Sequence, residues 1–102
     1  MVEINWTQEA EFWLKDIHDY ISQDNPQIAK RVVRDIYKKV QILKSFSQIG
    51  YIYENEKEEE IRILLYGHYR IAYLIKDKKH IDILGVFHGA LAIERYINIK
   101  NK

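Results

Sequence analysis

"IRILLYGHYRIAYLIKDKKHIDILGVFH", residues 61–88, holds three runs rich in Ile, Leu, Val and Tyr separated by two short breaks. Short runs of this composition bounded by turn signals read as strands, and the breaks at Gly67-His68 and Asp77 to Lys79 are rich in turn-forming residues. Ile61 to Tyr66, Tyr69 to Lys76 and His80 to His88 therefore read as three strands of an antiparallel meander. Side chains alternate across a strand, so numbering parity sorts them into two faces. One set, Ile61, Ile63, Leu65, Tyr69, Ile71, Tyr73, Ile75, Ile81 and Ile83, is the expected seat for helices. The other holds Arg62, Leu64, Tyr66, Arg70, Ala72, Leu74, Asp82, Leu84, Val86 and His88, and is more apolar than a solvated face should be. Burying Leu64, Leu74, Leu84 and Val86 is worth roughly 1.5–3 kcal/mol each. An apolar patch of that kind marks a docking surface for another protein.

The period changes upstream. Val2 to Asn5 alternates and reads as a short first strand. Thr7 is a suitable N-cap, and Ala10, Trp13, Leu14, Ile17, Tyr20 and Ile21 then recur at helical spacing over residues 8–23. Asn25-Pro26 restarts the pattern, since Asn caps well and Pro fits the first helical position. Ala29, Val32, Val33, Ile36, Val40 and Leu43 carry a second helix to about Phe46, making a helical hairpin. Gly50 marks the return to period two. Residues 51–54 are a candidate strand, and "ENEKEEE" (54–60) is charged enough to be a solvated loop or hairpin end. Beyond His88, the spacing of Leu91, Ile93, Tyr96 and Ile97 predicts a short C-terminal helix. The fold class is α+β, β-α-α-β-β-β(-α), with the helical hairpin packed on one face of a mostly antiparallel sheet.

Composition bounds what such a domain does. At 102 residues the chain, 1–102, makes one domain with a single modest core. Sixteen Lys and Arg nearly cancel fifteen Asp and Glu, which disfavours a non-specific nucleic-acid binder. Cys is absent, which excludes disulfides and thiolate chemistry. No apolar run approaches the roughly 20 residues a membrane span needs. The start "MVEINWTQEAE" lacks the layout of a signal peptide, so a cytoplasmic location is expected. His80 and Asp82 share a strand face, but two ligands without a third make no metal site, and no cofactor is expected.

The order of elements, with "WTQEAEFWLKDIHDYI", "NPQIAKRVV", "LKSFSQIG", "YRIAYLI" and "VFHGALAIERY", resembles the RelE/ParE superfamily of toxins from bacterial type II toxin–antitoxin systems. The resemblance covers nearly the whole chain and is closer to ParE-like than to RelE-like members. It implies a cognate antitoxin that wraps the toxin, which the apolar second face asks for independently. It also implies one of two activities. RelE-like members are metal-independent, ribosome-dependent endonucleases that cut mRNA. ParE-like members bind and poison DNA gyrase. An inactive antitoxin-binding relative is a third reading, and a homodimer or hetero-oligomer with the antitoxin stays open.

Under the endonuclease reading, the resemblance places Arg70 of "YRIAY" at a phosphate-contacting arginine, Arg62 near a lysine, and Tyr96 near a C-terminal tyrosine. His88 of "FHGAL" matches a strand-end histidine of some RNase members, and its ordinary pKa near 6.5 suits proton transfer. By parity Arg62, Arg70 and His88 share one face. The pattern breaks where Leu64 and Ala90 stand at two expected cationic positions. Each candidate also has a structural alternative. Arg70 can stack on a tyrosine or pair with an acid, Arg62 can pair with Glu58 or Glu60, His88 can serve as a turn residue before Gly89, and Tyr96 can belong to a core. Missing cations subtract from a ribosomal nuclease and leave a protein-binding poison untouched, so the ParE-like gyrase inhibitor is the favoured expectation.

Overall fold

The computed structural model describes residues 2–56 and 59–88. Strand β1 (Glu3–Trp6) leads into helix α1 (Gln8–Ser22) and helix α2 (Pro26–Val40), which continues as a 3₁₀ turn, Gln41–Lys44. Strands β2 (Tyr51–Glu56), β3 (Glu59–Tyr66), β4 (Tyr69–Ile75) and β5 (His80–His88) follow. All five strands form one sheet in the order β1-β5-β4-β3-β2. β1 runs parallel to β5, and the other three pairs are antiparallel. The α+β arrangement agrees with the sequence reading, with β2 as a full fifth strand. Of "ENEKEEE", residues 54–56 close β2 and residues 59–60 open β3, paired with one another or with Ile61. The predicted C-terminal helix, with Tyr96, lies outside the described residues.

Local chemistry explains the helix starts. Thr7 is extended (φ −66°, ψ 161°), and its hydroxyl accepts the Ala10 N–H at 3.1 Å. The same hydroxyl donates to the Ile83 carbonyl at 2.7 Å, so one side chain caps α1 and ties it to β5. Asn25 accepts the Ile28 N–H at 3.1 Å, with Pro26 at the first helical position. These contacts satisfy amides that a helix leaves unpaired at its N-terminus.

Register corrects the face assignment. A two-residue turn at Gly67-His68, with Gly67 at φ +57°, pairs Tyr66 with Tyr69, Leu64 with Ile71 and Ile63 with Ala72. Directly paired residues share a face, so each odd-numbered residue of β3 lies with an even-numbered one of β4. Numbering parity cannot be carried across such a turn. β5 enters with the same offset, Tyr69 opposite His88 and Ile71 opposite Val86. A bulge after Ala72 then brings Tyr73 opposite Ile83. The helix-covered face consequently holds Leu64, Ile71, Tyr73, Ile81, Ile83 and Val86, packed on Ala10, Leu14, Ile36, Val40 and Leu43.

Leu64 and Val86, expected on a free docking face, are instead 5% and 0% exposed within this core. On the far face Ile63, Ala72 and Phe87 are buried in a second cluster, with half-buried Leu84, Tyr53 and Trp13 against it. The Phe87 ring lies over Gly85, where a Cβ atom would meet it at 2.5 Å. The centre of the far face is therefore closed rather than greasy and open. Large exposed apolar side chains on the sheet stand at its margin: Tyr51, Ile52 and Leu65.

Candidate functional site

Arg62 is absorbed by structure. Its guanidinium donates to the Glu60 carboxylate through Nε and to the Gln48 and Gly50 carbonyls through Nη1, at 3.0 and 2.6 Å. Its side chain is 13% exposed. Tyr73, opposite Arg62 in the register, completes the arrangement. Its hydroxyl accepts the Gly50 N–H at 3.0 Å and donates to the Ser47 carbonyl at 2.8 Å. Together Arg62 and Tyr73 clamp residues 47–50, where the chain turns from the 3₁₀ segment into β2. Burial pushes the Tyr73 phenol above its ordinary pKa, while the Gly50 amide and the Arg62 charge pull it back. Of the two acids named for Arg62 in the sequence, Glu60 pairs with it, and Glu58 lies outside the described residues.

Arg70 is half-buried and stands opposite Leu65 and Phe87, on the far face. His88 stands opposite Tyr69, on the helix-covered side. The three groups expected on one face are thus divided between two. Arg62 and His88 do share a face, but the register separates them by two strands and four residues, about 16 Å between backbones at ordinary strand spacings. With its guanidinium held by Glu60 and the Gln48 and Gly50 carbonyls, Arg62 does not converge with His88 in this arrangement.

His88 sits at a rim. Its ring stacks near His68, with centroids 6.3 Å apart, and meets Tyr69 edge-on at 6.0 Å. Burial raises the Tyr69 pKa above its ordinary value. These strand ends border a groove of about 660 Å³ whose other wall is α1, chiefly Trp13, Asp16, Ile17 and Tyr20. Tyr20 is 75% exposed beside it. Sequence spacing places Trp13, Ile17 and Tyr20 in the apolar stripe of α1 and does not reveal that they also wall a groove. Their excess over what a single stripe needs was the available signal.

The second feature missed is electrostatic. Between Pro26 and Lys44 the chain carries six Lys and Arg against one Asp, whereas residues 8–24 carry five acids against one Lys. The hairpin is polarised although the whole chain is nearly neutral. Among the described residues no cluster of three or more His, Asp or Glu is placed to hold a metal ion. No described helix is long and apolar enough to cross a membrane.

Comparison with known proteins gives the setting. The family described as the ParE toxin of type II toxin–antitoxin system, parDE, matches residues 4–92. A solved structure, described as the chromosomal ParDE TA system from P. aeruginosa, superposes with a TM-score of 0.69 at 25% identity. The match covers 86% of this chain and 96% of that one. No curated protein matches the chain.

Proposed function

Because this chain belongs to the ParE toxin family of type II toxin–antitoxin systems, we propose that it arrests growth by binding DNA gyrase in the cytoplasm, and that a cognate antitoxin holds it silent. The observation that carries this reading is the dispersal of the catalytic candidates. Arg62 is bound to Glu60 and two backbone carbonyls, Arg70 is on the opposite face, and the backbones of His88 and Arg62 stand about 16 Å apart. Metal-free RNA cleavage needs a proton acceptor and cations converging on one phosphate. A poison that works by binding needs only surface.

The antitoxin contacts proposed here are Leu74 and Leu84, half-buried on the far face, with exposed Leu65 at its margin. Leu64 and Val86 belong to the core beneath the helices.

The deciding experiment adds purified toxin separately to gyrase with relaxed plasmid and to a translation extract. The expected result is inhibited supercoiling with intact mRNA. His88→Ala and Arg70→Ala toxins that still fold should arrest growth as the parent does. Truncated mRNA, abolished by His88→Ala, would return the chain to the endonuclease reading. Neither effect, with no growth arrest on induction, would leave an inactive antitoxin-binding relative.

A further inference from the structure

We propose that the outer face of α2 is a docking stripe for the phosphate backbone of duplex DNA. Lys30, Arg31, Arg34 and Lys38 fall within one exposed arc of the helix, opposite its buried residues Ala29, Ile36 and Val40. All four are exposed, and among the described residues none is engaged in an ion pair. The one acid of the segment, Asp35, does not neutralise them, because it accepts the Tyr66 hydroxyl at 3.1 Å towards the sheet. Gln27, on the same arc, adds an amide donor.

Length and composition select the partner. From Lys30 to Lys38 the stripe runs about 12 Å along the axis, which faces three or four phosphates of one DNA strand. Cations and amides without an apolar anchor are the inventory of a backbone contact. A protein interface would centre on buried aromatic or aliphatic side chains, and this arc presents none. A single strand would call for exposed rings on which bases stack, and none stands on this arc either. An exposed helix fits the major groove of B-form DNA and not the deep, narrow one of A-form RNA.

Near-neutrality of the whole chain argues against long-range attraction, and it leaves this local contact intact. Screening limits each charge to neighbours within about 10 Å at 0.1 M salt. The acids of α1 occupy the other helix of the hairpin. The proposal is independent of gyrase being the target, since its test contains only toxin and nucleic acid.

The test is fluorescence anisotropy of a labelled 20-base-pair duplex titrated with the full chain. Micromolar-order binding is expected at 50 mM salt, weakening on the order of 100-fold at 200 mM, as about four phosphate contacts require. Arg31→Glu/Arg34→Glu should weaken binding at least tenfold with an unchanged circular-dichroism spectrum. Arg34→Lys should retain it, and Lys78→Glu, in the β4–β5 turn, should leave it within twofold. Absence of salt-dependent duplex binding would overturn the proposal, as would wild-type affinity in the double variant or tighter binding to single-stranded RNA. Loss of antitoxin binding or of self-association in the double variant, with DNA binding kept, would likewise make the stripe a protein interface and overturn it.

Discussion

Arg62 clamps the chain between the 3₁₀ turn and β2 through one carboxylate and two backbone carbonyls. Removing it takes a donor from the part-buried Gly50 carbonyl and Glu60 carboxylate and from the exposed Gln48 carbonyl. Arg62→Met should cost about 1–3 kcal/mol, read as a lower urea midpoint at unchanged slope. A pH effect belongs to Tyr37, whose hydroxyl donates to Glu11 at 2.8 Å. Burial, then the Glu11 carboxylate, pushes its pKa up to about 12 from an ordinary 10. A raised folded-state pKa means the fold holds this proton more tightly than the unfolded chain does. The associated stability is complete below pH 10 and drains away as pH climbs from 10 to about 12. Urea midpoints measured at pH 8 and 11 should diverge, and Tyr37→Phe should narrow the gap.

Among the elements, the two helix caps look alike in sequence and differ in what else they hold. Asn25 bonds one amide of α2, whereas Thr7 bonds an amide of α1 and also the Ile83 carbonyl of β5. Asn25→Ala should cost about 1 kcal/mol. Thr7→Ala should cost more, about 2 kcal/mol, because it also removes the hydroxyl's bond to the Ile83 carbonyl, which keeps only the weaker residue-7 N–H contact at 3.2 Å of the two. Denaturant unfolding of the two variants side by side checks the order. The turn between β3 and β4 fixes register through Gly67 at φ +57°, a conformation that strains any residue with a Cβ. Gly67→Ala has open space around it and still should cost about 1 kcal/mol.

For the whole molecule, stability resides in the layer between the hairpin and the sheet. Ile36, fully buried at its centre, should cost about 2–5 kcal/mol on truncation to Ala, while Leu65→Ser, 55% exposed at the sheet margin, should stay within about 0.5 kcal/mol. Thermal and urea unfolding of both variants separates the two cases. Periodicity alone determined the elements: the stripe of Ala10, Leu14 and Ile17, the Asn25-Pro26 restart, the Gly67-His68 turn and the strands around it were all legible, because hydrogen-bond geometry and burial act on neighbours in the chain. Order of motifs was enough to point at the toxin superfamily. What the tertiary structure decided was which side chains share a face across the turns. Register moved Leu64 and Val86 into the core, put Arg62 and Arg70 on opposite faces and gave Arg62 its acid and carbonyl partners. Folding also set a basic helix beside an acidic one, which total charge conceals. The physical reason is that one residue in a loop or bulge inverts which face a strand presents, and a linear sequence carries that choice in a few turn residues whose effect is felt only when strands pair.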